Sequence, residues 1–191
     1  MRKLLFRNIF RKPLTEPPPA GDSAGDRDGD LESIATLAAD LDRAALRKLG
    51  RSLAIRQVDA GSCNGCELEI NALSNAYYDL ERFGLHIVAS PRHADVLLVT
   101  GPVTRNMQEA LERTYAATPA PKWVVAVGEC ALDGGCFAGS YAVVGGVSQV
   151  VPVDLHIPGC PPNPTQLLKG LLALLDAGSS AAKSDKAGQR D

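Results

Sequence analysis

Two short apolar runs, ADVLLVTG at residues 94–101 and KWVVAVG at 122–128, limit this chain's fold more than any other feature. A strand with one wet face alternates apolar and polar side chains. Runs this nearly uninterrupted therefore predict strands covered on both faces, in the middle of a parallel sheet. Before them, LAIRQVD at 53–59 has the alternation and β-branching of a strand and leads into a Gly-Ser-Cys turn. LHIVAS at 85–90 reads as another strand, and VSQVVPVD at 147–154 as a further one, with Pro152 marking an edge or bend. Between them, helices are predicted from Leu31 to Leu49 ended by Gly50, from Cys66 to Leu80, and from Thr104 to Tyr115 with Thr104 as cap. A last helix starts at the Asn163-Pro164 signal, carries LLKGLLALL and stops before the polar GSSAAKSDKAGQRD. This strand and helix order predicts an α/β domain: a flavodoxin-like, doubly wound, mostly parallel sheet with helices on both faces.

With 191 residues and 20.1 kDa, the chain has room for one such domain and no second catalytic one. The expected division is 1–50 as a basic N-terminal segment, flexible linker and short helix, 51–177 as the α/β domain, and 178–191 as a disordered tail. The opening MRKLLFRNIFRK mixes apolar and basic residues without an acid, which suits docking on an anionic membrane surface or a partner. Aromatics are 5% of residues, so the core must rest on Val, Leu, Ile and Ala. A net charge of -2 and no basic, aromatic-interleaved patch argue against nucleic acid as a partner. The longest apolar run, LLKGLLALL, is interrupted by Lys169 and spans about half a bilayer, so no self-inserted membrane helix is expected.

Five cysteines are too few and too oddly counted for a disulfide scaffold, no signal-peptide pattern precedes them, and a reducing compartment is the better home. Their positions carry the chemistry. Cys63 and Cys66 follow the first strand, Cys130 follows KWVVAVG and Cys160 follows VVPVD, so three separate segments converge at the carboxyl ends of strands. Open α/β sheets bind ligands there. Four thiolates need a soft centre, zinc or iron-sulfur, and isolated cysteines on several loops suit a cube-shaped cluster better than zinc knuckles. A lone CNGC is also compatible with a redox dithiol.

The run DAGSCNGCELEINALSNAYYDLERFGLHIVASPRHADVLLVTGPVTRNM, then GEC, GG and VDLHIPGCPPNP, closely resembles the small subunit of membrane-bound, energy-converting nickel-iron hydrogenases. That group includes formate hydrogenlyase and is related to the B subunit of NADH-quinone oxidoreductase, complex I; the resemblance covers residues 51–175. It implies a flavodoxin-like fold and one [4Fe-4S] cluster held by Cys63, Cys66, Cys130 and Cys160, passing electrons beside a large subunit's active site. It also implies as partners a hydrogenase or complex I-like large subunit, a ferredoxin-like iron-sulfur subunit and integral membrane subunits. The place implied is peripheral, on the cytoplasmic side of the cell membrane, held through those partners. Asn64 and Gly65 separate the first two cysteines as in hydrogenases, whereas the complex I subunit typically has them adjacent. A complex I-type subunit passing electrons to quinone and a zinc-stabilised structural or assembly protein are the competing readings.

Around the cysteines, Glu67 and Glu69 fall in the first turn of a helix, where the dipole favours carboxylates, and the resemblance adds a subunit-interface role for Glu69. It also sets Thr100 and Gly101 beside the cluster as hydrogen-bond donors, with Arg105 as an interface or solvated residue. Cys136 reads as a buried apolar residue, His156 as a packing or interface histidine, and His86 and His93 as unrelated to a metal. Gly134 to Gly146 lacks the Lys-Ser/Thr ending of a phosphate loop.

Overall fold

The computed structural model describes residues 27–185, with side chains described for 33–176; the basic segment 1–12 lies outside them. Helix α1 (Arg27–Leu49) leads to strand β1 (Leu53–Asp59), the short helix α2 (Gly65–Ala72), β2 (Leu85–Ile87) and β3 (Val96–Thr100). There follow β4 (Val103–Thr104), α3 (Arg105–Ala117), β5 (Trp123–Val127), α4 (Glu129–Asp133), β6 (Val143–Gly145), β7 (Leu155–Ile157) and α5 (Pro164–Asp185). The main sheet has the order β2-β1-β3-β5-β7 with every pairing parallel, while β4 and β6 form a small antiparallel pair. That order is the flavodoxin-like 2-1-3-4-5, with the crossover falling between β1 and β3.

The apolar runs are accounted for by two core layers, one on each face of the sheet. Val96, Leu98, Val125 and Val127 belong to one layer with Leu41 of α1 and Leu167, Leu168 and Leu171 of α5. Leu97, Val99, Val124 and Ala126 belong to the other with Leu111 of α3 and Ala131 of α4. Alternate residues of a strand point to opposite faces, so a strand covered twice has no polar position left in its middle. Each such buried Val or Leu side chain contributes roughly 1.5–3 kcal/mol.

Helix α1 joins this core rather than lying beside it: Ile34, Leu41, Ala44 and Ala45 are buried in the first layer. Lys48 ties it down, its Nζ donating to the Leu174 and Leu175 carbonyls at 3.3 Å and lying 4.3 Å from the Trp123 ring centroid. Burial lowers the Lys48 pKa below its ordinary value, and Asp176 opposes the shift. The nearly buried Asp95 clamps the start of β1, accepting from Arg51 at 3.0 and 2.5 Å and from the Ala54 N–H at 3.0 Å. At the head of α5, Asn163 and Gln166 exchange two 2.8 Å backbone-to-side-chain bonds, a capping box.

Several elements differ from expectation. Helix α2 ends at Ala72 because Asn75 Oδ1 accepts the Tyr77 and Tyr78 N–H groups at 2.8 and 3.0 Å, holding a turn. The expected strand at 147–154 is a 3-10 turn, Val147–Gln149, and a loop; β7 begins only at Leu155. Val147 and Val151 are apolar because they fill the second core layer, not because they pair in the sheet. Thr104 makes no side-chain cap to α3; its Oγ1 donates to the Ala60 carbonyl at 3.1 Å. Helix α5 runs on through the polar residues to Asp185. Among the described residues no helix is long and apolar enough to cross a membrane.

Candidate functional site

The carboxyl ends of β1, β5 and β7 bring the cysteine segments together. After β1, Asp59 Oδ1 accepts the Gly61 and Ser62 N–H groups at 2.8 and 3.0 Å. Ser62 Oγ then accepts the Asn64 N–H at 3.0 Å, and Asn64 turns the chain at φ +71°. Cys63 is left exposed in the turn while Cys66 enters the first turn of α2, half-buried. The ends of β5 and β7 are laced to each other. Gly128 N–H donates to the Ile157 carbonyl at 2.8 Å, Glu129 N–H to the Gly159 carbonyl at 3.1 Å, and Gly159 N–H to Glu129 Oε1 at 3.1 Å. His156 Nε2 adds a 3.0 Å bond to the Gly128 carbonyl, which makes it a packing histidine.

Gly128 is where the loops crowd most. A Cβ built there would lie 2.8 Å from Cys66 Sγ and 3.2 Å from the Gly159 carbonyl oxygen. A Cβ on Gly65 would lie 3.5 Å from Cys63 Sγ and 3.8 Å from the Pro161 ring. Burial first, then the charge of Glu67, then those of Cys130, Cys63 and Cys160 push the Cys66 thiol up to about 12. All four predicted cysteines thus share one electrostatic neighbourhood. Burial also raises the Cys130 thiol, with Cys136 as the next contributor.

The expectation of one [4Fe-4S] cluster on Cys63, Cys66, Cys130 and Cys160 is corrected by this arrangement. Among the described residues, no group of three or more His, Cys, Asp or Glu side chains is placed to hold a metal ion. Cys63 and Cys160 are exposed, while Cys66 and Cys130 are half-buried. The zinc reading meets the same finding. The description as an iron-sulfur chain is corrected with it.

Cys136 is also corrected: it is exposed, not buried. Thr100 is fully buried and its hydroxyl donates to the Val58 carbonyl at 3.4 Å, so it is committed to the neighbouring strand. Arg105 Nε donates to the Tyr141 carbonyl at 2.7 Å and pins the glycine-rich segment. Glu129 and Asp59 escaped the sequence reading, although each stands beside a cysteine turn with a carboxylate able to cap it. Glu67 is 4% exposed, and neither carboxylate oxygen has a hydrogen-bond partner among the described residues. Two surface cavities lie elsewhere: one of about 590 Å³ is lined by α1 with Arg82 and Phe83, and one of about 280 Å³ lies along β7 and α5.

A five-stranded parallel sheet with cysteine loops at its carboxyl edge defines a class of flavodoxin-like α/β protein. Residues 63–174 match the family described as NADH ubiquinone oxidoreductase, 20 Kd subunit, and the chain belongs to that family of oxidoreductase subunits. It is 47% identical over 144 residues to formate hydrogenlyase subunit 7 of Escherichia coli (strain K12), covering 75% of this chain and 55% of that protein. It therefore spans little more than half of that relative's length. It is 46% identical over 128 residues to a protein named "Probable membrane-bound hydrogenase subunit" in Pyrococcus furiosus, covering 67% of this chain and 77% of that one. Among solved structures, a chain of the membrane-bound sulfane sulfur reductase, an archaeal respiratory membrane complex, is 36% identical. It aligns with a TM-score of 0.60 over 71% of this chain and 74% of that one. A chain of an NAD+-reducing [NiFe]-hydrogenase, 20% identical with a TM-score of 0.52 over 66% of this chain and 93% of that one, shares the fold.

Proposed function

We propose that this chain is the electron-transfer-type subunit of a hydrogenase-like complex, docked by its cysteine-bearing edge against a large catalytic subunit. The observation that carries the reading is that Leu68, Leu132, Phe137 and Tyr141 are exposed on the segments that hold Cys66, Cys130 and Cys136. Large apolar side chains left in water beside the one chemically distinctive edge suit a protein interface. Glu67, buried without a partner among the described residues, adds a polar group awaiting one. The names of the relatives, a formate hydrogenlyase subunit and a membrane-bound hydrogenase subunit, support the same assembly.

In this reading Cys63, Cys66, Cys130 and Cys160 are the functional thiols at the point of electron passage, and residues 51–177 form the docking unit. A ferredoxin-like subunit stands on the far side of the electron path, and integral membrane subunits hold the assembly peripherally on the cytoplasmic side. The test is anaerobic co-purification of the full chain with a candidate hydrogenase-type large subunit from the same organism. Wild type should retain the large subunit, and Leu68→Glu and Tyr141→Glu should each lower retention at least tenfold. Leu46→Glu, on the 48% exposed outer face of α1, should not. Equal retention by all four proteins would overturn the docking edge.

A further inference from the structure

Lys169-Gly170 breaks the apolar run of α5 at a place that the cysteine edge does not explain. Glycine weakens a helix interior, so its presence here needs a reason. Contact with the sheet supplies one: a Cβ on Gly170 would fall 2.4 Å from Ile157 Cδ1 and 2.6 Å from Ile157 Cγ1. The helix backbone thus lies directly against β7, the last strand of the sheet. Beside this contact runs the cleft of about 280 Å³, with Leu155, Ile157 and Gly170 as its apolar wall and His156, Gln166 and Lys169 as its polar groups. Two of those three are committed. His156 Nε2 is bonded to the Gly128 carbonyl at 3.0 Å, and Gln166 Oε1 accepts the Asn163 N–H at 2.8 Å. Lys169 is exposed and has no carboxylate within ion-pairing distance among the described residues.

Strand β7 pairs with β5 alone, which leaves its other side open. The Ile157 carbonyl faces β5, where it accepts the Gly128 N–H at 2.8 Å. Successive residues of a strand direct their backbone groups to opposite sides, so the His156 N–H and carbonyl and the Pro158 carbonyl face outward. None of the three has a backbone partner among the described residues. We propose that the cleft is a strand-addition site for an extended segment of a partner protein, which lies along β7 with an apolar side chain in the cleft and an acidic side chain on Lys169. A donor and two acceptors at strand spacing match an extended peptide backbone and no compact ligand. The apolar wall selects a side chain such as valine, and the unpaired ammonium group selects a carboxylate. The site lies on the flank between β7 and α5, so it holds whether or not the cysteine edge docks a large subunit.

Amide hydrogen exchange in the full chain, kept anaerobic and followed residue by residue by NMR, tests this. The probe is an acetylated and amidated peptide, Val-Glu-Val-Thr-Val, with Val-Lys-Val-Thr-Val as its control, each titrated to about 2 mM. The acidic peptide should slow exchange of the His156 amide at least tenfold. The Gly128 amide, already bonded to the Ile157 carbonyl, should not change. The lysine peptide should bind at least tenfold more weakly. Lys169→Glu should reverse that preference and Lys169→Arg should keep it; Lys169 is exposed, so neither variant disturbs the core. Equal binding of the two peptides, a preference unmoved by Lys169→Glu, a His156 amide left unprotected, protection at β2 in its place, or a His156 amide already protected by self-association before peptide is added would overturn the site.

Discussion

Replacing Gly128 by alanine tests the crowding of the cysteine loops with the cleanest geometry available. Gly128 has φ 85° and ψ 165°, a conformation essentially confined to glycine, and an L-residue held there costs about 1–3 kcal/mol. The added methyl would also meet Cys66 Sγ at 2.8 Å and the Gly159 carbonyl at 3.2 Å, and forced repacking of this kind costs about 1–3 kcal/mol. Together these give a loss of roughly 2–6 kcal/mol, a drop of about 1–3 M in the urea midpoint at a slope of about 2 kcal/mol per M. Gly50→Ala is the comparator, because Gly50 also has a positive φ, +69°, yet a Cβ there meets nothing within 4 Å. It should lose only about 1 kcal/mol. In a Cys66→Ala background the Gly128→Ala penalty should shrink by about 1 kcal/mol, since the sulfur is gone and the backbone cost stays. Circular dichroism against urea reads all of these. A Gly128→Ala loss no greater than that of Gly50→Ala, or one indifferent to Cys66, would refute the packing argument.

Asp95→Ala should destabilise by about 3–5 kcal/mol, because it strands the β1 amide of Ala54 and removes the buried carboxylate that Arg51 pairs with. Arg51→Ala should cost less than half as much, as Arg51 is 57% exposed on its side chain and the Ala54 bond survives; calorimetry of the two variants decides. The Cys66 thiol is raised from 9.0 to about 12, so the folded chain binds more protons than the unfolded one between those values. Stability is therefore fully present below pH 9.0 and falls as pH rises through about 12. Since Cys66 is only half-buried, solvent screening limits the effect to about 1–2 kcal/mol, and urea midpoints at pH 8 and 10.5 should differ less in Cys66→Ala.

The parallel sheet was legible because β3 and β5 are buried on both faces, which leaves no other explanation for VLLVT and WVVAV. The edge was harder to read. Val147 and Val151 resemble strand residues in sequence but serve the second core layer from a turn and loop, and burial, not pairing, is what selects valine there. The α2 boundary depended on one side-chain amide, Asn75, closing a turn that helical periodicity does not register. In the site, convergence of Cys63, Cys66, Cys130 and Cys160 followed from topology, since each follows a strand of the same parallel sheet. The cluster came with the resemblance and not with the spacing, which left zinc and redox thiols open, and among the described residues no group of three or more ligating side chains is placed to hold a metal; spacing also says nothing of exposure, which hid the exposed Cys136. Glu129 and Asp59 act on backbone amides across or along the loops, contacts that exist only once β5 and β7 are side by side.

Electron transfer through the assembled complex tests the central claim most directly. The large subunit, purified anaerobically with and without this full chain, is supplied with dithionite-reduced methyl viologen, and hydrogen is followed by gas chromatography. Hydrogen evolution should require this chain, and Cys66→Ala and Cys160→Ala should each lower the rate at least tenfold while the large subunit remains bound. An equal rate without the chain, or from complexes carrying those cysteine variants, would contradict an electron-transfer role at the cysteine edge.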